Sequence, residues 1–187
     1  MRPSFKNVLK FGAAAMGVAA ALVFSLYAAQ HDVVVDLVAR FGHVGALTAG
    51  FVSGFNVIVP VPAITLLPLF VAAGLSIPTS VVLLTIGMTF GDGVGYLIGF
   101  LGRESLKITQ KMEKVSARVT HYQKKYPALV PLGIVVYAAF IPLPNELVVV
   151  PLSALGYKIR LIAPLIFAGN LVFNTLGAFA ITGLFAL

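Results

Sequence analysis

No cysteine occurs among the 187 residues, which excludes disulfides and thiolate metal sites but leaves the compartment open. Charge is scarce too: 10% of residues are Asp, Glu, Lys or Arg, against about 25% in an ordinary soluble domain. The three histidines, His31, His43 and His121, lie outside the apolar runs and show no metal-ligand spacing, so neither a metal nor another cofactor is expected. No nucleophile and base form a catalytic pattern, and the chain is not expected to be an enzyme. Gly91-Asp92-Gly93 lies inside an apolar run rather than after a strand, so it is no phosphate loop.

What is present is hydrocarbon. Hydrophobic residues make up 59% of the chain. Long apolar runs cover 11–29, 44–75, 79–101 and, with interruptions, 128–187. About 20 apolar residues cross a bilayer as a helix, so the expectation is an all-α integral membrane protein. Residues 1–43 read as an N-terminal anchor helix and an extracytoplasmic connector. The basic start and Tyr27-Ala28-Ala29 also fit a signal peptide, but a retained anchor is expected, and in either case Asp32 emerges outside.

The net charge of +7 is unevenly placed. Arg2, Lys6 and Lys10 precede the first apolar run, and residues 103–125 hold seven basic residues against Glu104 and Glu113. Lys and Arg collect on cytoplasmic loops, so both segments should face the cytoplasm. Residues 103–126 read as an amphipathic helix, with Ile108, Met112, Val115, Val119, Tyr122 and Tyr126 on one stripe. Such a helix rests on an anionic leaflet or packs on the membrane domain. Without aromatic interleaving or a recognition motif, no nucleic-acid partner is expected. The expected partners are membrane lipids, and a homo-oligomer is compatible with the composition.

A shift of 82 residues aligns 58–102 with 140–184 without a gap. Pro60 and Pro62 meet Pro142 and Pro144; Gly74, Gly87 and Gly95 meet Gly156, Gly169 and Gly177; Asp92 meets Asn174. Each copy is an apolar run broken by Pro-x-Pro, a glycine, then a longer apolar helix. The arms of each broken run are too short for a full span, and proline cannot continue a regular helix. A single kinked span in the first copy would place 103–125 outside, against the positive-inside rule; a re-entrant hairpin places it inside. The fold expected is therefore an inverted repeat of re-entrant hairpin plus transmembrane helix, after an N-terminal transmembrane helix. Repeat 1 is 44–102, with hairpin 44–75 and helix 79–101. Repeat 2 is 127–187, with hairpin 128–156 and helix 161–187. Inverted repeats with broken helices are a transporter architecture.

Gly87, Gly91, Gly95 and Gly99 recur every four residues, and with Gly169 and Gly177 they read as helix-packing positions. Asp92 and Glu146 are the two acids inside the apolar segments, and intramembrane acids default to a functional reading. Glu146 follows the second Pro-x-Pro; its plainer role is a first-turn acid after an Asn145 N-cap. Asp92 and Asn174 are equally suited to buried hydrogen bonding with the opposite hairpin. With Pro60, Pro62, Pro142 and Pro144 at the breaks, and Asn56, Tyr96, Tyr137 and Asn170 nearby, these form the candidate substrate pathway.

The pattern resembles the DedA family, also called the VTT or SNARE-associated Golgi protein family, over roughly 57–183. Its elements are Pro60-Val61-Pro62 with Ala73-Gly74, the string Gly87-x3-Gly91-Asp92-x2-Gly95-Tyr96-x2-Gly99, the basic segment, Phe140-Ile141-Pro142-Leu143-Pro144 with Gly156, and Gly169-x3-Phe173-Asn174-x2-Gly177. The resemblance implies two re-entrant hairpins and transbilayer movement of lipid, either phospholipid or a polyprenyl-phosphate carrier, as a flippase or scramblase in a prokaryotic cytoplasmic membrane. The chain departs from the many bacterial members that carry acids in the first hairpin and arginines in the second: here the first has no acid and the second no arginine. The alternatives are a transporter or channel for a small solute or ion, proton-coupled or not, and a scaffold without transport. A closed polar cavity favours the solute reading and a groove open to lipid favours translocation.

Charge parity yields a direct test of topology. A cysteine placed at Ser76 of this cysteine-free chain is expected to react with an impermeant maleimide on intact cells, and one at Ser116 is expected to be protected. The opposite labelling pattern would reverse the orientation.

Overall fold

The structure, a computed structural model, describes residues 5–55, 61–102, 126–141 and 143–185. Pro60, Pro142, Asn56 and the basic segment 103–125 lie outside the described residues. Apart from one 3-10 turn, the regular elements are all α-helices: α1 (Phe5–Ala28), α2 (Asp32–Gly54), the 3-10 turn Ala63–Leu66, α3 (Leu67–Ala72), α4 (Ile77–Leu101), α5 (Leu129–Phe140), α6 (Glu146–Ala154) and α7 (Ile159–Phe185). Among the described residues α2, α4 and α7, of 23, 25 and 27 residues, are long and apolar enough to cross a membrane. Phe90 and Leu101 of α4 and Phe179 and Leu184 of α7 point outward. An all-α chain with several spanning helices and an apolar exterior is an integral membrane protein.

The helix bounds follow local chemistry. Ser76 caps α4 by accepting from Thr79 N at 3.2 Å, and Pro78 sits in the first turn, where its missing N–H has no helical partner to lose. Helix α2 starts at Asp32, inside the stretch read from sequence as a connector, and Gly42 interrupts it with φ 46° and ψ −124°. Helices α3 and α6 end in the same motif. Gly74 (φ 91°) and Gly156 (φ 88°) take the left-handed conformation that a Cβ disfavours. Leu75 N donates to Phe70 O and Tyr157 N to Leu152 O, both at 3.0 Å, the six-to-one bond of a Schellman cap. Every residue of one cap is 82 positions from its counterpart, the same shift that aligns the sequence.

Glycines set how closely the helices pack. A Cβ on Gly50 or Gly54 would collide with the backbone of Leu84 or Met88, and one on Gly87 or Gly91 with the backbone of Leu47 or Phe51. Later residues of α2 therefore meet later residues of α4, so the two helices run side by side in the same direction. Gly95 and Gly99 of α4 meet Glu146, Val150 and Ser153 of α6, again in parallel order. Gly169 of α7 abuts Val135 and Ala138 of α5. Across the middle the order reverses: Asn170 meets Asp92 while Asn174 meets Thr85, so α4 and α7 are antiparallel. Because α6 follows α4, α6 is antiparallel to α7.

Backbone-to-backbone approach of this kind leaves no room for a methyl group. Gly87→Val is expected to cost on the order of 1–3 kcal/mol through overpacking, while Gly93→Ala, with nothing within 4 Å of the added carbon, is expected to be near neutral. Thermal unfolding in detergent measures both, and equal melting of Gly87→Val and wild type would remove the seam from the account.

Candidate functional site

Three polar residues of α4 occupy one stripe: Thr85, Thr89 and Asp92 recur at steps of four and three and face α7. Thr85 Oγ1 donates to Val81 O at 2.7 Å and Thr89 Oγ1 to Thr85 O at 2.9 Å. A hydroxyl whose proton is engaged has only lone pairs to offer, so both threonines act as acceptors toward α7. Asn174 Nδ2 donates to Thr85 Oγ1 at 3.0 Å and to Met88 Sδ at 3.3 Å. Asn170 Nδ2 donates to Asp92 Oδ2 at 2.8 Å and reaches Thr89 Oγ1 at 3.5 Å.

The second break brings a third element to this seam. Asn145 is the residue before α6, but its side chain makes no capping bond. This corrects the N-cap role expected from sequence. Its φ of −60° and ψ of −24° are already helical, and its Nδ2 instead donates to Asp92 Oδ2 at 3.1 Å and to Asn170 Oδ1 at 2.9 Å. Asp92, Asn145 and Asn170 thus form a closed triad that joins α4, α7 and the start of α6. All three are at most 5% exposed. Glu146, also buried, runs past Gly95, with its Cγ 3.0 Å from where a Cβ on that glycine would sit, and it interacts electrostatically with Asp92. Beside Asp92 is a void of about 10 Å³ lined by Thr89, Val149, Ile162 and Ile166, the size of one water.

Side chains of the preceding helices serve backbone groups beside both breaks. Ser53 Oγ accepts from Ala63 N at 2.9 Å and donates to Val61 O at 3.2 Å, bridging the first break. Tyr137 donates its hydroxyl to Pro144 O at 3.1 Å and spans the second. Tyr96 lies apart from the triad and donates to Tyr157 O at 3.0 Å, tying α4 to the α6–α7 turn. Pro62 lines a different space, an open cleft of about 610 Å³ between α1, α2 and the first break. Its walls are apolar: Ala21, Phe41, Val44, Val52 and Leu66 contribute, and the Thr48 hydroxyl there is bonded to Val44 O.

The structure thus brings Asp92, Asn145, Glu146, Asn170 and Asn174 onto one seam and leaves Tyr96 and Pro62 elsewhere. The sequence reading missed Thr85, Thr89 and Ser53. For the threonines the signal was present in their spacing from Asp92; for Ser53 it was not, since the position of a break's partner depends on how the chain returns. No protein-family model, curated protein or solved structure matches the chain.

Asp92→Leu removes the acceptor of two buried N–H groups, each costing about 1–3 kcal/mol when left unpaired. Asp92→Asn keeps an oxygen in place. Thermal unfolding is expected to show a large loss for Asp92→Leu and a clearly smaller one for Asp92→Asn; equal melting of all three proteins would show that the triad does not hold the tip.

Proposed function

We propose that this membrane protein moves lipid across the bilayer as a flippase or scramblase of the DedA type, in a prokaryotic cytoplasmic membrane. The observation that carries the reading is the cleft of about 610 Å³ beside the first break. It is apolar and open between helices, which suits an acyl chain. The void beside Asp92, at about 10 Å³, is too small for a solute.

The helix directions support the accompanying architecture, an inverted pair of re-entrant hairpins. Helices α2 and α4 run in parallel, so the chain between them turns back to the side from which α2 came. Helices α6 and α7 are antiparallel, and α4 is antiparallel to α7. Two contacts that the 82-residue shift exchanges support the pseudo-symmetry: Gly95 against Glu146, and Gly177 against Ile64, with would-be Cβ distances of 3.0 and 3.1 Å. In such a frame the hairpin tips meet within the bilayer and provide the polar step that a headgroup needs in hydrocarbon.

Translocation of acyl-labelled phospholipid in proteoliposomes, read by bleaching of the outer leaflet, tests the proposal. Thr48→Trp, which fills the cleft from its exposed wall, is expected to slow translocation at least five-fold at unchanged melting temperature. Glu146→Gln is expected to change rate or selectivity at equal stability. A wild-type protein that moves no labelled lipid would overturn the reading.

A further inference from the structure

The seam between α4 and α7 is unbalanced in its hydrogen-bonding groups. The side-chain N–H groups of Asn145, Asn170 and Asn174 are directed at partners within the seam. What is left over is acceptor oxygen. Asp92 Oδ1 and Asn174 Oδ1 are fully buried and accept no hydrogen bond among the described residues, although Asp92 is 2% and Asn174 0% exposed. Asp92 also lines the small void. Lys158 and Arg160 are exposed at the α6–α7 turn, and among the described residues no cationic side chain forms an ion pair or hydrogen bond with the seam. Phosphate recognition requires free donors or cations, and among the described residues the N–H groups of this seam are engaged within it and no cation is bonded to it. A ligand that brings its own N–H groups and positive charge complements it.

The triad itself shows the geometry. The Asn145 amide directs two N–H bonds at Asp92 Oδ2 and Asn170 Oδ1, at 3.1 and 2.9 Å. An ammonium group has three N–H donors and reaches the same two oxygens, with a third for Asp92 Oδ1. Leu143 and Leu147, which flank Asn145 and Glu146, are exposed apolar side chains beside them. The internal symmetry adds a second point. The 82-residue shift carries Asn145 and Glu146 onto Ala63 and Ile64, and Asn170 onto Met88. The acceptor-rich tip therefore exists once, in the second half alone.

We infer that Asp92 and Asn170 in this seam bind the ammonium of an amine-bearing headgroup, with the Asn145 amide occupying that place when the tip is closed. This rests on the lipid-translocation reading and gives it a substrate class: lipids with a primary amine, in preference to lipids whose headgroup is anionic. As the tip withdraws, the ammonium N–H groups replace the Asn145 N–H groups on the same oxygens, so the buried acceptors stay satisfied through the exchange. A quaternary ammonium, which has no N–H, gains only the charge term.

The test compares acyl-labelled phosphatidylethanolamine with acyl-labelled phosphatidylglycerol in proteoliposomes, alongside thermal unfolding of the purified chain in micelles with either lipid or with free ethanolamine. The amine lipid is expected to move at least five-fold faster and to raise the melting temperature more than the glycerol lipid. Equal or faster movement of phosphatidylglycerol overturns the inference and leaves translocation standing. If neither lipid moves, translocation fails, and the melting data decide the site: stabilisation by the amine lipid or by ethanolamine keeps it, and no stabilisation removes it. Stabilisation by ethanolamine equal to that by the lipid assigns the site to a soluble amine. In Asp92→Asn the ratio of the two transport rates should fall to near one, and a wild-type ratio would contradict the assignment. If that variant does not fold, Asn170→Ala applies the same criterion.

Discussion

Backbone polar groups in hydrocarbon must find partners within the protein, and each one left unpaired costs several kcal/mol. The rest of this fold depends on how two proline-broken segments meet that demand. Proline lowers the demand at the outset, because it brings no N–H into the break. Side chains from the preceding helix do the remainder: Ser53 of α2 serves Val61 and Ala63, and Tyr137 of α5 serves Pro144. Each break is thus bonded to its own incoming arm, which fixes the return of the chain over a short distance. A tip closed in this way leaves its next side chains available for other partners, and in the second half those partners are Asp92 and Asn170.

Glycine determines where the tips arrive. Close approach of α2 to α4 through Gly50, Gly54, Gly87 and Gly91 sets one register, and Gly95 and Gly99 set the other by admitting α6. Without a hydrophobic driving force between helices in lipid, such packing and interhelical hydrogen bonds hold the bundle together. Helix α4 therefore bears α2 and α6 on one stripe of glycines and bears the polar seam on the adjacent face. The two halves share caps, breaks and contact positions but differ in chemistry. Ala63, Ile64 and Met88 make the first half apolar where Asn145, Glu146 and Asn170 make the second polar.

Much of this was legible in the sequence because strong local terms decide it. Proline pairs marked both breaks, Gly74 and Gly156 marked the ends of the broken runs, and the apolar runs placed both ends of α4 and the start of α7 to within two residues. Asn145 was misread because a residue preceding a helix is ordinarily its cap, and the pull of Asp92, 53 positions away, leaves no local trace. Thr85 and Thr89 went unnoticed because hydroxyls in apolar helices usually bond to their own helix, as these also do. The cleft beside Pro62 was not readable at all, since its volume is set by how α1 and α2 diverge.

The hydrogen bond from Asn145, just before α6, to Asp92 in α4 couples the two residues energetically. A double-mutant cycle with Asp92→Ala, Asn145→Ala and the double variant, read by reversible unfolding in mixed micelles, measures that coupling without reference to transport. The structure predicts a coupling energy of about 1 kcal/mol or more, with the double variant losing less than the sum of the single losses. Strict additivity of the two losses would contradict it.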